Sequence, residues 1–203
     1  SDTFRANLLL APNGVGLGLF GSSTTVTLTT ATTGSGSYPA LYAAGAGNSS
    51  VRDSCFGNSG GDGGKLERAS WIDIARSTLT GGSGGAALRL EGASSNTVTA
   101  SLLSAPGGTG LSVGSYLDTF DMSTTTGANN AFAGLSVQAS TAVFVGAAPG
   151  VALSSSVLRG DSQGAALAFG DAALVATFTA LAFPAGPPVS AASHPGSVSF
   201  RNW

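Results

Sequence analysis

Five of the chain's eight basic residues and five of its ten acidic residues fall between Arg52 and Glu91, and their spacing is regular. Arg52 and Arg76, Lys65 and Arg89, and Glu67 and Glu91 are each 24 residues apart, while Lys65–Glu67 and Arg89–Glu91 are two apart. If residues two dozen positions apart are vertical neighbours on stacked strands, a basic and an acidic column stand side by side. Attraction between the columns then offsets the repulsion within each. The same residues also have the chemistry of a carbohydrate site. Asp53, Glu67, Asp73 and Glu91, converging with Arg68 or Arg76, would supply the two carboxylates that glycoside hydrolysis requires. They could equally supply a base beside a neutralised uronate, as elimination requires. Arg52, Asp53, Glu67, Arg68, Asp73, Arg76, Arg89 and Glu91 are therefore the candidate glycan-binding residues, and a structural charge lattice is the competing reading. No hydrolase or lyase motif accompanies them, so no catalytic residue, cofactor or metal ligand is assigned.

Other strings resemble catalytic motifs without their context. Gly57–Gly61 and Gly81–Gly85 both fit the G-x-S-x-G string of serine hydrolases, but Gly and Ser are so common here that such matches arise by chance. His194, the sole histidine, lies in a Pro/Gly-rich tail far along the chain, which argues against a triad. Gly16–Gly21 matches a dinucleotide fingerprint, yet neither a helix nor a βαβ unit is expected around it. Thr25, Thr27 and Thr29 alternate outward like an ice-binding array, but Arg52, Asp73 and Asp118 interrupt equivalent positions; β-propensity accounts for the threonines. Asn48-Ser49-Ser50 is a glycosylation sequon, meaningful only in a secretory eukaryotic setting.

The elements that would position these residues recur with one period. Leu17, Leu41, Leu66, Leu88, Leu111 and Leu135 are spaced by 22 to 25 residues, and Val26, Val51, Ile74 and Val98 form a second column with steps of 25, 23 and 24. Two columns sharing a period predict a repeat protein whose units bury their inward side chains by stacking. Val26-Thr27-Leu28, Ile72-Asp73-Ile74 and Leu88-Arg89-Leu90 alternate with period two, as strands do. Glycine clusters at 34–36, 60–64, 81–85 and 106–108 read as the turns between them. The step from Leu135 to Leu167 is 32, which places an inserted loop around Ala147 to Leu153. The same arithmetic puts Cys55 in the column of Leu79 and Leu103 and predicts that it faces inward.

Composition agrees with an ordered solenoid. Of 203 residues, 42% are hydrophobic, 31 are glycine and only 9% are charged, so periodic apolar residues offset the ordering entropy that polar, glycine-rich segments alone could not. A net charge of −2 provides no phosphate-neutralising field, which argues against nucleic-acid binding. The apolar stretch Gly164–Pro184 contains Asp171 and several glycines, and no membrane insertion is expected. With one cysteine there is no intramolecular disulfide and no cysteine-based zinc site. The charge-free stretches between Arg5 and Arg52 and between Asp121 and Arg159 point to an exterior covered by copies of the chain or by other surface proteins.

Units of about 23 residues with the pattern G-L-x-V followed by x-V-x-x-S-x-L resemble the right-handed parallel β-helix superfamily of pectate lyases, tailspikes and bacterial surface proteins. The resemblance implies an all-β, single-stranded right-handed parallel β-helix (β-solenoid). At about 24 residues per coil it would have about eight coils and, at ~4.8 Å per coil, a rod about 40 Å long. The expected organisation is one domain over residues 1–203. Residues 1–13 would be an N-terminal cap or docking segment, 14–183 the coils, and 184–203 a turn-rich C-terminal cap carrying Phe200 and Trp203. The function expected first is a non-catalytic extracellular or cell-surface structural or adhesive solenoid that self-associates into a filament or fibre. The alternatives are a polysaccharide-binding or polysaccharide-cleaving β-helix and a phage or pilus receptor-binding module.

Overall fold

The computed structural model describes residues 1–34, 36–117, 122–161, 165–169, 174–177, 180–182, 189–191 and 198–200, the last four segments largely as backbone. Every ladder among the described residues is parallel except a two-residue hairpin, Tyr116–Leu117 against Thr124–Thr125. The chain winds as a right-handed β-helix with three sheets running along its length. Sheet 1 stacks nine strands: Thr3–Arg5, Thr25–Thr27, Gly47–Arg52, Ser70–Ala75, Thr97–Thr99, Ala131–Ala133, Val151–Ser154, Leu174–Thr177 and Val198–Phe200. Sheet 2 begins with Leu8–Leu10, Thr30–Thr33, Cys55–Asn58 and Thr78–Thr80; sheet 3 begins with Leu17–Leu19, Leu41–Ala44, Gly64–Glu67 and Ala86–Glu91. The two merge where Leu102–Gly114 and Ser136–Val145 run from one into the other, with a register irregularity between Ala105 and Thr109. No helix of the described residues is long and apolar enough to cross a membrane.

The core is the set of inward columns. Val51 pairs with Val26 and Ile74, and Ile74 with Val98, all at 0% exposure. Leu41 lies on Leu17, and Leu111 on Leu88. Each fully buried leucine or isoleucine contributes about 1.5–3 kcal/mol, but only while its neighbouring coil is in place. Leu66 lies two residues further along, between Ala43 and Leu90. It faces the same interior because side chains repeat with period two.

Corners repeat as strictly as strands. Leu28, Asp53, Arg76, Ala100 and Ser155 have φ between 47° and 51°, and Gly134 has φ 62°. This is a left-handed column between sheets 1 and 2. The next residue is usually a buried serine whose hydroxyl bridges coils: Thr29 N–H donates to Ser54 Oγ at 3.1 Å, Ser54 N–H to Ser77 Oγ at 3.2 Å, and Ser77 N–H to Ser101 Oγ at 3.1 Å. Each serine Oγ in turn donates to the carbonyl two residues back. The corner thereby satisfies buried backbone groups that the strand ladders leave over.

Four expectations are corrected. Cys55 is exposed and pairs with Thr30 and Thr78, while Phe56 occupies the inward column with Leu79. The coil step there is 23, and a one-residue slip turns the side chain to the opposite face. Leu135 lies at the serine corner, donating its N–H to Ser156 Oγ at 3.1 Å, not above Leu111, which pairs with Val143. The long coil is accordingly the one before it: Val98 pairs with Phe132, a step of 34 residues, and the extra length lies in the segment containing the 116–125 hairpin, not at 147–153. Finally, Thr3–Arg5 and Leu8–Leu10 within the proposed 1–13 cap pair in parallel as ordinary coil strands, with Leu8 and Leu10 each 69% exposed. At the other end, strands 189–191 and 198–200 continue sheets 3 and 1 beyond residue 183. His194 and Trp203 lie outside the described residues.

Candidate functional site: a charged and aromatic surface over three coils

Sheet 3 directs Tyr42, Lys65 and Arg89 outward in one column and Glu67 and Glu91 in the next. Tyr42 pairs with Lys65, Lys65 with Arg89, and Glu67 with Glu91. The side-by-side columns of opposite sign expected from the spacing are therefore present. Lys65 Nζ lies 3.1 Å from Glu67 Oε2 and 2.9 Å from Glu91 Oε2, so one ammonium bridges two carboxylates. The Tyr42 hydroxyl donates to Glu67 Oε2 at 3.1 Å. Arg89 donates to both Asp62 oxygens at 2.7 and 3.1 Å, and Asp62 also accepts the Ala86 N–H at 2.7 Å, tying the 60–64 turn to the next coil.

The electrostatics follow from these contacts. Burial pushes the Tyr42 phenol above its ordinary pKa, and the neighbouring Glu67 carboxylate adds to the shift. Burial alone would lower Lys65, but its bonds to Glu91 and Glu67 outweigh that and leave it raised. The bonds to Asp62 hold the Arg89 guanidinium more firmly charged. Beside this network Phe20, 69% exposed, meets Tyr42 edge-on with ring centroids 5.8 Å apart. At the corner leaving sheet 3, the Arg68 guanidinium sits 4.7 Å from the centre of the Tyr116 ring, on the inserted hairpin. Gly92 beneath the hairpin must lack a side chain, since a Cβ there would come within 2.9 Å of Tyr116.

The remaining candidates lie elsewhere. On sheet 1, Arg52 pairs with Asp73, whose other oxygen accepts from Thr97 Oγ1 at 3.0 Å. At the next corner Arg76 makes a bidentate pair with Asp53, both bonds 2.7 Å, and these bonds hold the Asp53 carboxyl below its ordinary range. The expected stacking of Arg52 on Arg76 does not occur. Arg52 pairs with Ala75 because that coil step is 23 rather than 24, which brings Arg76 to Asp53 instead. Asp53, Glu67, Asp73 and Glu91 thus divide between two regions of the rod: Glu67, Arg89 and Glu91 gather on sheet 3, and Arg52, Asp73, Asp53 and Arg76 gather on and beside sheet 1. Among the described residues no three His, Cys, Asp or Glu side chains are placed to share a metal ion.

Sequence reasoning left Tyr42, Asp62, Trp71 and Tyr116 out of the candidate set. Tyr42 could have been found by stepping back 23 residues from Lys65, as its column requires. The two G-x-S-x-G strings form glycine-rich turns whose Ser59 and Ser83, with Thr32, Gly57, Thr80 and Pro106, line a shallow, uncharged groove of about 500 Å³ beside sheet 2.

No family pattern matches the chain, and no curated protein matches it. Among solved structures it is similar to the A-module of the Azotobacter vinelandii mannuronan C-5 epimerase AlgE6, with 14% identity and a TM-score of 0.56 over 98% of this chain and 52% of that one. It is also similar to the AlgE4 A-module from the same organism, with 13% identity and a TM-score of 0.51 over 98% of this chain and 57% of that one. The chain spans little more than half the length of these structures. At such identity the likeness extends to the fold, and it is that of a right-handed parallel β-helix.

Proposed function

We infer that the chain is a polysaccharide-binding β-helix, with its principal binding surface on sheet 3 around Phe20, Tyr42, Lys65, Glu67, Arg89 and Glu91. The observation that carries this reading is the ordered array itself. Planar carboxylates and a guanidinium are fixed by mutual bonds on a flat strand surface beside two exposed aromatic rings. Pre-ordered polar side chains lose little entropy when they exchange bonds with sugar hydroxyls, and aromatic rings supply apolar area with few rotatable bonds. The fold agrees, since both similar modules belong to enzymes named for a polysaccharide.

Binding is favoured over cleavage because each acid of the cluster is held by a cation: Glu67 and Glu91 by Lys65, Asp62 by Arg89, Asp73 by Arg52 and Asp53 by Arg76. A general acid requires a proton affinity near the working pH, and paired carboxylates lie far from it. The five cations and five anions also cancel, so the surface suits a hydroxyl-rich polymer of low charge better than a polyanion, which would need a positive field. An extracellular or cell-surface location accords with such a ligand.

The test is a glycan array probed with the unmutated protein and with Phe20→Ser/Tyr42→Ser, whose exposed rings can be removed without opening the core. Binding of neutral glycans, reduced at least tenfold in the variant and little altered by 0.5 M salt, is expected. No binding to any glycan would end the reading.

A second reading, end-to-end association into a filament, is favoured by the open first coil. Thr3–Arg5, Leu8–Leu10 and Leu17–Leu19 are terminal strands of their sheets, with Leu8 and Leu10 exposed, and such edges template further strand pairing. Light scattering that rises with concentration and falls in Leu8→Lys/Leu10→Lys is expected; a monodisperse monomer at high concentration would exclude it.

A further inference from the structure

One corner column carries an outlier. Ser23, Asn48, Ser95 and Asn129 occupy left-handed backbone positions with φ of 64°, 50°, 55° and 56° where the chain enters sheet 1. Asn and Ser fit there, since short polar side chains tolerate this region. In the coil between Asn48 and Ser95 the position holds Trp71, with φ 60° and 65% of its surface exposed. A bulky aromatic is among the least suited residues for that conformation, and here its strain is not offset by burial. Strain held at an exposed position is a feature of binding sites, where the surrounding structure over-determines the geometry. The ladders on either side do so here: Ser70 pairs with Gly47, Ile72 with Ser49, and Ile72 N–H donates to the buried Asn96 Oδ1 at 2.9 Å.

The neighbours along the strand are polar and fixed. Asp73, two residues on, is held by Arg52 and by Thr97 Oγ1, and Ser50 pairs with Asp73 from the coil before. Above and below Trp71 in its own column are only Asn48 and Ser95, so the indole stands over small side chains.

We propose that Trp71 is a sugar-stacking anchor, its indole receiving the C–H face of a pyranose while Asp73 and Arg52 take the hydroxyls at the ring edge. This is a subsite on sheet 1, around the corner from the sheet 3 surface, and it rests on the polysaccharide reading above. An indole offers a wide, flat apolar surface, and desolvating it against a sugar ring recovers contact that the fold leaves unused. The paired charges of Asp73 and Arg52 again fit a neutral polymer.

The experiment uses the full chain in a Trp203→Phe background, so that Trp71 is the sole tryptophan. Soluble dextran, laminarin and galactomannan are titrated as neutral probes, with polymannuronate as the charged one, and binding is read both by Trp71 emission and by isothermal calorimetry. A bound neutral probe is expected to shift Trp71 emission. Trp71→Asn should weaken that binding at least tenfold while raising the melting temperature by about 2–4 °C as the strain is relieved, and Trp71→Phe should recover part of the affinity. Calorimetric binding that leaves Trp71 emission unmoved and Trp71→Asn unaffected would overturn the anchor and leave the sheet 3 surface standing. A lower melting temperature for Trp71→Asn would show that the indole is a packing group and would also overturn it. Absence of binding to every probe would remove both.

Discussion

Asn130 Oδ1 accepts two bonds from Asn96, one from its backbone N–H at 3.1 Å and one from its side-chain Nδ2 at 3.0 Å. Both asparagines are fully buried. Asn96 reaches in turn to the Ala69 carbonyl, and Asn130 to that of Ala93, so side-chain amides continue from coil to coil a ladder that the backbone begins. This pair spans the long coil and holds its two ends in register. Replacing Asn130 with Leu keeps the volume but leaves a buried N–H and amide unsatisfied, at a cost of about 2–3 kcal/mol. Thermal unfolding should show a melting temperature lower by roughly 5–10 °C; an unchanged value would mean that the amide bonds are dispensable.

Gly108 is a site of close approach, where a Cβ would lie 2.1 Å from the Gly85 carbonyl oxygen, whereas at Gly14 nothing lies within 4 Å. Gly108→Ala should destabilise by about 1–3 kcal/mol through overpacking, and Gly14→Ala should be near neutral. Equal effects of the two substitutions in denaturant titrations would refute the contrast.

Removing Lys65 leaves Glu67 and Glu91 stacked without the cation between them. Lys65→Met should therefore cost about 1 kcal/mol, and adding Glu67→Gln should recover much of it, because the like-charge contact disappears with it. A double-mutant cycle with no coupling would show that the columns do not interact.

The ion pairs set the limits of the stability profile against pH. Asp53 binds its proton less readily in the fold than in the unfolded chain, so its contribution is complete above the ordinary value of 3.8 and is lost as pH falls through its lower folded value. Tyr42 and Lys65 are raised, so theirs are complete below the ordinary values of 10.0 and 10.5 and are lost as pH rises through the folded ones. Asp53→Asn should melt below the unmutated protein at pH 6, with the difference closing only under strongly acidic conditions. A gap that persists at pH 2 would mean the carboxylate is not what stabilises this corner.

The inner columns were legible from the sequence because Val26, Val51, Ile74 and Val98 are all β-branched and keep one alignment through steps of 25, 23 and 24. A two-residue ambiguity, as between Leu66 and Leu88, costs nothing in such reasoning, because both side chains face the same way. A one-residue ambiguity inverts the answer, which is why Cys55 was exchanged for Phe56 and Arg76 met Asp53 rather than Arg52. The Lys65/Arg89 and Glu67/Glu91 lattice emerged whole because its coil step is 24. Tyr42 and Trp71 were hidden because their partners are fixed by register, and register is set at glycine-rich corners whose length varies from coil to coil.

The detour at residues 115–128 leaves from one edge of the cylinder and returns to it, and beyond it Ala131 is again seated on Thr97 as though no chain had intervened. The winding is therefore kept by side-chain alignment and is indifferent to how much polypeptide passes between one layer and the next. Lineages descended from such a scaffold can lengthen or exchange their protruding loops at this edge, reshaping what the surface grips while the stack beneath continues unchanged.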